Sequence, residues 1–477
     1  MITITRNLAR QVRAVFRRAL HITPRGLSYP VTLQTGPDGL RLRARSPDAV
    51  VEYHTPGELP IEQFAVPFQF LADCESKKDQ PVTLEAAGER QVSAQWRDGS
   101  VPQIVQYDRA DPADAAEFLR FPDVSAENPP GFLAALQDAM EIAEPAPIKY
   151  ATDHVQLEGQ SGKLVATDGR QLLVQTGYHF PWQGNLLVPR TTLFACRELP
   201  QDVPITIGMT GGWVALRVGP WTVWLLVNKD ARFPEVHRHV PDPATAVARC
   251  QFSAGDAEFL METLPRLPGD AEYNWPVTFD LNGTIAVRGK SMDQPRATEA
   301  VLSSSTWSGE AVRININRRY LARALELGLR ELFVYGPNTP VLCQDDRRSY
   351  VWAVLDPESA ITPADDALRI LSPADGPKPC PSPPKPPKRR RQMTTEPNNP
   401  QEGQAKTNGQ PRKTGRRKAG RMETAGLIQE AEAVRATLRD ALSKTGELLK
   451  GLKRHKRQSR ALESTLASLR QLKGLDG

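Results

Sequence analysis

The chain has 477 residues, a net charge of +6, 40% hydrophobic residues and 42 prolines. A single core seldom grows past roughly 250–300 residues, so several domains are expected. No window approaches the roughly 20 apolar residues of a membrane span, and the opening MITITRNLAR lacks an apolar signal core. The five cysteines (Cys74, Cys196, Cys250, Cys343, Cys380) form no CxxC pair. Neither a disulfide framework nor a zinc site is therefore indicated, and a soluble cytoplasmic protein with no cofactor is expected.

The charge is uneven. Residues 373–477 hold 24 basic and 10 acidic residues, a balance of +14, whereas residues 1–372 hold 37 and 45, a balance of −8. An acidic body with a basic tail points to an acidic partner such as nucleic acid.

The first predicted element is a helix over Asn7–Leu20. Leu8, Val12, Val15, Phe16, Ala19 and Leu20 make one apolar face. Arg6, Arg10, Arg13 and Arg17, spaced four, three and four apart, make a basic stripe opposite, with no acid interleaved. Such a stripe is either a solvated face or a set of non-specific phosphate contacts. Strand-like runs follow ("PVTLQTG", "LRLRARS"), and then "FAVPFQFLADCESKKDQPVTLEA" from Phe64. Two later segments read alike: "LLVPRTTLFACRELPQDVPITIG" from Leu186 and "ININRRYLARALELGLRELFVYG" from Ile314. Each predicts strand, Pro or Asn at a helix start, amphipathic helix, strand.

Anchored on Pro67, Pro189 and Asn317, these segments recur every 122 and 128 residues. That period is too long for a solenoid and suits three tandem domains of one fold. Further helices are predicted at Gly131–Ile142 and Ala254–Leu264. Runs such as "HVQLEGQ", "KLVATDG", "VTFDLNG" and "TIAVRGK" read as strands punctuated by DG, NG and GG turns. Each domain is thus α+β, mostly antiparallel strands with two helices. Expected boundaries are 1–125, 126–243 and 244–358. A Pro-rich basic linker is expected over 359–420, with Lys388–Arg391 and Arg416–Lys418 as charge clusters. A helical or coiled-coil segment over 421–473 carries an approximate heptad at Leu427, Ala431, Val434 and Leu438.

No GxSxG, P-loop or GxGxxG occurs, and no local carboxylate pair demands a catalytic reading. His237 and His239, two apart, share a face if they lie on a strand, but no third metal ligand has diagnostic spacing. The expectation is a scaffold or ring with no catalytic or metal site.

"VATDGRQLLVQ" from Val165, then "LLVPRTTL", then "NKDARFPEVHRHVP", occur in an order and spacing that resembles the bacterial sliding clamp, the β subunit of DNA polymerase III. "ININRRYLARALE" and "PVLCQDDRRSYVWAVL" resemble the family's third domain. The resemblance covers roughly residues 1–356, and in the first domain it rests on element order and "FAVPFQFLADC". It implies an α+β chain of three tandem clamp-fold domains, antiparallel sheets outside and two helices per domain lining a ring, closed head to tail as a homodimer. It implies sliding on double-stranded DNA without base readout, as an accessory to DNA polymerase III and its clamp loader rather than an enzyme.

Carried over by motif, a partner-peptide pocket would comprise Thr167, Gly169, Arg170, Gln171, Leu172, Pro234, Arg238, Asn317, Tyr320, Val341, Val351, Trp352, Ala353 and Val354. The expected DNA contacts are Arg6, Arg10, Arg13, Arg17, Arg25, Arg190, Arg197, Arg319 and Arg323. Two departures stand out. The family's DGHRL reads DGRQL here, so Gln171 takes the usual arginine position, and the closing M-P-M-R-L is replaced by "VWAVLDP". A clamp paralogue serving repair, or a protein binding DNA through its tail, is the alternative.

Overall fold

The computed structural model describes residues 1–110, 118–145 and 150–374. The expected linker from residue 375 onward and the helical segment 421–473 lie outside these residues. The described chain runs three times through a similar order of elements, with a 3-10 turn in place of the second helix in the middle repeat and one extra strand in the third.

In the first repeat, β1 (Ile2–Thr5) leads into α1 (Arg6–Ala19), followed by β2 (Val31–Gly36), β3 (Gly39–Arg45), β4 (Ala49–Thr55) and β5 (Glu62–Val66). A six-residue helix α2 (Gln69–Cys74) precedes the meander β6 (Pro81–Ala86), β7 (Gln91–Asp98) and β8 (Val101–Asp108). The second runs β9 (Ser125–Asn128), α3 (Gly131–Ile142), β10 (His154–Glu158), β11 (Lys163–Thr167), β12 (Gln171–Gln175), β13 (Asn185–Pro189), β14 (Ile205–Thr210), β15 (Trp213–Val218) and β16 (Trp221–Leu226). The third runs β17 (Ala248–Gln251), α4 (Ala254–Thr263), β18 (Pro276–Asn282), β19 (Thr284–Gly289), β20 (Thr298–Leu302), β21 (Thr306–Gly309), β22 (Val312–Asn317), α5 (Arg318–Glu326), β23 (Glu331–Val334), β24 (Val341–Gln344) and β25 (Arg348–Trp352).

Each helix forms for a local reason. α1 buries Ala9, Val12, Val15, Phe16 and Ala19, and the Thr5 hydroxyl caps it by accepting from Leu8 N at 3.0 Å. Ser253 caps α4 and Asn317 caps α5 in the same way. The second helix expected in the middle repeat is only a 3-10 turn, Leu193–Ala195. There the Thr191 hydroxyl accepts from Leu193 N at 3.1 Å, and the chain closes a tight i to i+3 bond, Cys196 N donating to Leu193 O at 2.8 Å, in place of a continued α-helical ladder. No described helix is long and apolar enough to cross a membrane.

The sheets join the repeats. β4 pairs antiparallel with β16, making one eight-stranded sheet of the first and second repeats. β12 pairs antiparallel with β25, making a nine-stranded sheet of the second and third. Aromatics lock the first junction: the buried Trp221 on β16 meets buried Phe16 of α1 at 6.4 Å and the half-buried Tyr53 of β4 at 4.8 Å between ring centres. On the helix side, α1 packs on α2 and on the Leu193 turn, which packs on α3, while α4 packs on α5. Arg323 of α5 closes this layer by pairing with Asp138 and Glu141 of α3 at 3.0 and 2.9 Å.

A further strand, β26 (Leu368–Leu371), lies parallel on β20. It falls in the stretch expected to be linker from residue 359. The linker reading rests on prolines concentrated after residue 373, and that composition says nothing about the four-residue LRIL run before them.

Candidate functional site

The β11–β12 hairpin turns at Asp168–Gly169–Arg170. Asp168 Oδ1 accepts from Arg170 N at 2.7 Å and Gln171 N at 2.8 Å, and Gly169 takes φ +87°, a region that disfavours any residue with a Cβ. The Thr167 hydroxyl donates to Gln171 O at 2.6 Å and accepts from Gly169 N at 3.0 Å. Because β12 pairs with β25, this turn sits beside Val351 and Trp352, and Ala353 N donates to Arg170 O at 2.9 Å. The segment through Pro234–His239 lies alongside.

Together they line a cleft of about 390 Å³ at the junction of the second and third repeats. Its floor belongs to a separate apolar cluster that includes Leu172, Val236 and Val351. An apolar floor with a few polar fixers fits a short extended or turned peptide.

Of the fourteen expected pocket residues, Thr167, Gly169, Arg170, Gln171, Leu172, Pro234, Arg238, Val351, Trp352 and Ala353 line this cleft. Four do not. Val341 is fully buried in the main core, and Val354 packs against that core. Asn317 is spent capping α5, its carboxamide oxygen accepting from Arg319 N at 3.0 Å. Tyr320 is not among the lining residues but is hydrogen-bonded with Arg170, which is, and burial and then the Asp168 charge raise its phenol pKa.

Trp352 borders the cleft, but its ring does not fill it. The side chain is fully buried and tilts against Tyr350 at 5.2 Å. On a strand, residues 350 and 352 face the core together while Val351 faces out. Gln171 is also tied inward: it donates to Asp168 Oδ2 at 2.8 Å and accepts from the Tyr350 hydroxyl at 2.5 Å. Tyr150, Thr152, Glu235, Val236, His239 and Pro340 complete the lining. Glu235, Val236 and His239 flank expected residues in "RFPEVHRHVP" and are reachable from that motif. Tyr150, Thr152 and Pro340 come from loops that carry no sequence signal for it.

The expected cation stripe on α1 is broken up by tertiary contacts. Arg6 is buried and donates to the carbonyls of Cys74, Arg97 and Glu75 at 2.8, 2.7 and 3.2 Å, with Asp98 at 3.2 Å. It is a structural clamp, not a surface cation. Arg10 pairs with Glu198 at 3.3 Å and Arg13 with Glu75 at 2.7 Å, so acids from neighbouring elements interleave where none is present within α1. Arg323 is held by Asp138 and Glu141, and Arg190 donates from Nε to Met140 O at 3.0 Å. Arg17, Arg25, Arg197 and Arg319 are exposed. Arg319 lies over the Trp275 ring at 5.6 Å. Of the nine expected DNA contacts, these four are the ones left exposed to meet a polyanion.

His237 and His239 lie in a 3-10 turn rather than a strand, so their spacing does not put them on one face, and His237 Nε2 meets Glu158 Oε1 at 2.5 Å. No metal-like cluster of three His, Cys, Asp or Glu occurs among the described residues.

No family model matches the chain, and no curated protein matches it. Its architecture, three repeats joined edge to edge through continuous sheets with their helices packed in one layer, is the sliding-clamp fold. In particular, it is similar to DNA polymerase III subunit beta from Pseudomonas aeruginosa, with a TM-score of 0.60 at 18% identity over 74% of this chain and 99% of that one. A sliding clamp from the same organism bound to griselimycin gives 0.63 and 18%, again over 74% and 99%. A putative DNA polymerase III beta subunit from Eubacterium rectale gives 0.59 and 12% over the same shares.

Proposed function

We propose that the chain is a DNA sliding clamp. Two copies close head to tail around duplex DNA, and the cleft at the second junction holds a peptide of the replicative polymerase or of the clamp loader. The observation that carries this reading is the open sheet at each end of the three-repeat body. β1-β6-β7-β8 at one end and β22-β18-β19-β20 with β26 at the other are the only described sheets that do not span two repeats. Two copies joined through these ends give a closed ring with no free junction.

The repeat boundaries proposed are those of the sequence, near residues 125, 243 and 358. The role is non-enzymatic and cytoplasmic: tethering raises the polymerase's effective concentration at the primer end. The basic tail adds DNA affinity.

The test is topological. After incubation with a nicked circular plasmid, the protein is expected to stay bound through gel filtration at about 0.3 M salt, where purely electrostatic binding is much weakened. Linearising the circle releases it. Equal retention on circle and linear duplex would count against encirclement. For the cleft, a labelled peptide carrying a polymerase clamp-binding motif is expected to bind, and Leu172→Ala to weaken it by about tenfold. A clamp paralogue serving repair is the second reading, favoured by Gln171 being locked to Asp168 and Tyr350. Failure of the polymerase peptide to bind, with encirclement intact, selects it.

A further inference from the structure

The two junctions inside the chain follow one rule. In each, the last strand of the first meander of one repeat pairs antiparallel with the last strand of the next: β4 with β16, and β12 with β25. The same rule would bring β20 of one copy to β8 of another. β8 has a free edge among the described strands, whereas β20 does not, because β26 lies on it from Thr298↔Leu368 to Val301↔Leu371.

β26 is firmly seated. Leu368 N donates to Ala297 O and Ser372 N to Val301 O, both at 2.9 Å. Ser372 Oγ accepts from Ser303 N at 2.8 Å, and Arg369 Nε reaches Glu299 Oε1 at 2.8 Å. Glu299 is itself buried and held by Arg288 at 2.5 Å, so this anchor is part of the third repeat's interior. Yet the strand leaves Leu368, Ile370 and Leu371 at 55%, 39% and 68% exposure. The edge it would meet has the same character, with Val101 and Ile104 of β8 at 55% and 65%. Two apolar sheet edges open to pairing are what monomeric proteins avoid.

We propose that β26 is the strand on which a second copy docks: β8 of that copy pairs antiparallel with β26 instead of β20. This rests on the clamp reading above. Because β26 runs parallel to β20, it offers the same strand direction, and the antiparallel rule of the other two junctions is kept. Four strands of one copy and five of the other give a closing sheet of nine, the number in the junction between the second and third repeats. The ring is thereby closed by a segment outside the three repeats.

Strand alternation gives a selective test. The amides of Leu368 and Ser372 point to β20, so those of Arg369 and Leu371 point outward. The experiment uses the compact unit Met1–Ser382, which holds every described strand and the core, so that association through residues 421–473 does not enter. Sedimentation equilibrium is expected to show a dimer. Leu371→Pro removes an outward amide and spares the pairing with β20, and Leu371→Glu charges an exposed side chain. Each is expected to raise the dimer Kd by about tenfold or more, with circular dichroism unchanged. Leu368→Pro, which unseats β26, has the same effect. Unchanged Kd values for the Leu371 variants, or tighter dimers for Leu368→Pro, overturn the docking role while leaving the ring reading intact. In the second case β26 would be a plug over β20. A wild-type unit that stays monomeric at every concentration overturns both.

Discussion

Gln171 sits where the sequence departs most from the clamp pattern, and its carboxamide is used at both ends. One end donates to Asp168 and the other accepts from Tyr350, whose hydroxyl has no exposure to water. Burial raises the Tyr350 pKa well above the ordinary phenol value, so the hydroxyl stays a donor. Gln171→Ala leaves that donor unsatisfied and is expected to cost about 1–3 kcal/mol in urea unfolding. Tyr350→Phe alone removes both the donor and the need for an acceptor. In that background Gln171→Ala is expected to cost clearly less, and additive losses would show that the bond carries no coupling. The residue therefore shapes the cleft by fixing the turn. The Asp168–Gly169 turn and the apolar Leu172 were legible in sequence, since both depend on local chemistry. The Tyr350 contact was not, because it joins residues 179 positions apart.

At the scale of elements, one carboxylate ties α4 to the turn that follows β20, the neighbour of β26. Asp256 is buried in the first turn of α4, where burial alone would raise its pKa. Hydrogen bonds from Ser305, Ser372 and the Ser304 and Ser305 amides outweigh burial and hold it below the usual carboxylate value. A depressed folded-state pKa contributes stability that is present above the unfolded value of about 4 and is lost as pH falls through the folded one. Asp256→Asn is thus expected to be less stable than wild type by about 1–3 kcal/mol at pH 7, the gap closing below about pH 4. A gap independent of pH, measured by urea melts across that range, would rule this out. Helix positions were readable from their apolar faces and from a residue suited to a helix start, a capping side chain at α1, α4 and α5 and a proline at α3. The middle repeat's shortened helix and the β26 strand were hidden, since both depend on what flanks them rather than on their own pattern.

For the whole molecule, the decisive quantity is how many cations remain free. Arg6, Arg10, Arg13 and Arg323 are engaged within the fold, while Arg17, Arg197 and Arg319 are exposed on or beside the helix layer. Replacing Arg17 or Arg197 by Ser is expected to lower the salt slope of duplex binding by about 1 each without affecting stability. Arg6→Ser is expected to do the reverse, lowering the melting temperature with little change in slope. Deleting residues 373–477 is expected to remove a larger share of the slope, because that segment carries the +14 balance. Fluorescence anisotropy across a salt series separates these cases, and an unchanged slope after the deletion would exclude a DNA role for the tail.

The sequence by itself determined the threefold repeat, the α+β character of each repeat, the hairpin at Asp168–Gly169 and most of the cleft's second-repeat wall. These follow from periodicity, capping and turn chemistry, which act over a few residues. Only the tertiary structure decided which arginines stay at the surface, that Trp352 turns into the core while Val351 faces the cleft, and that β26 covers the edge of β20. Each of these depends on a partner brought from far along the chain, as Glu198 is to Arg10 and Ala297 to Leu368. Local pattern shows that a side chain or strand edge wants a partner, and the packing of distant elements decides which partner it finds.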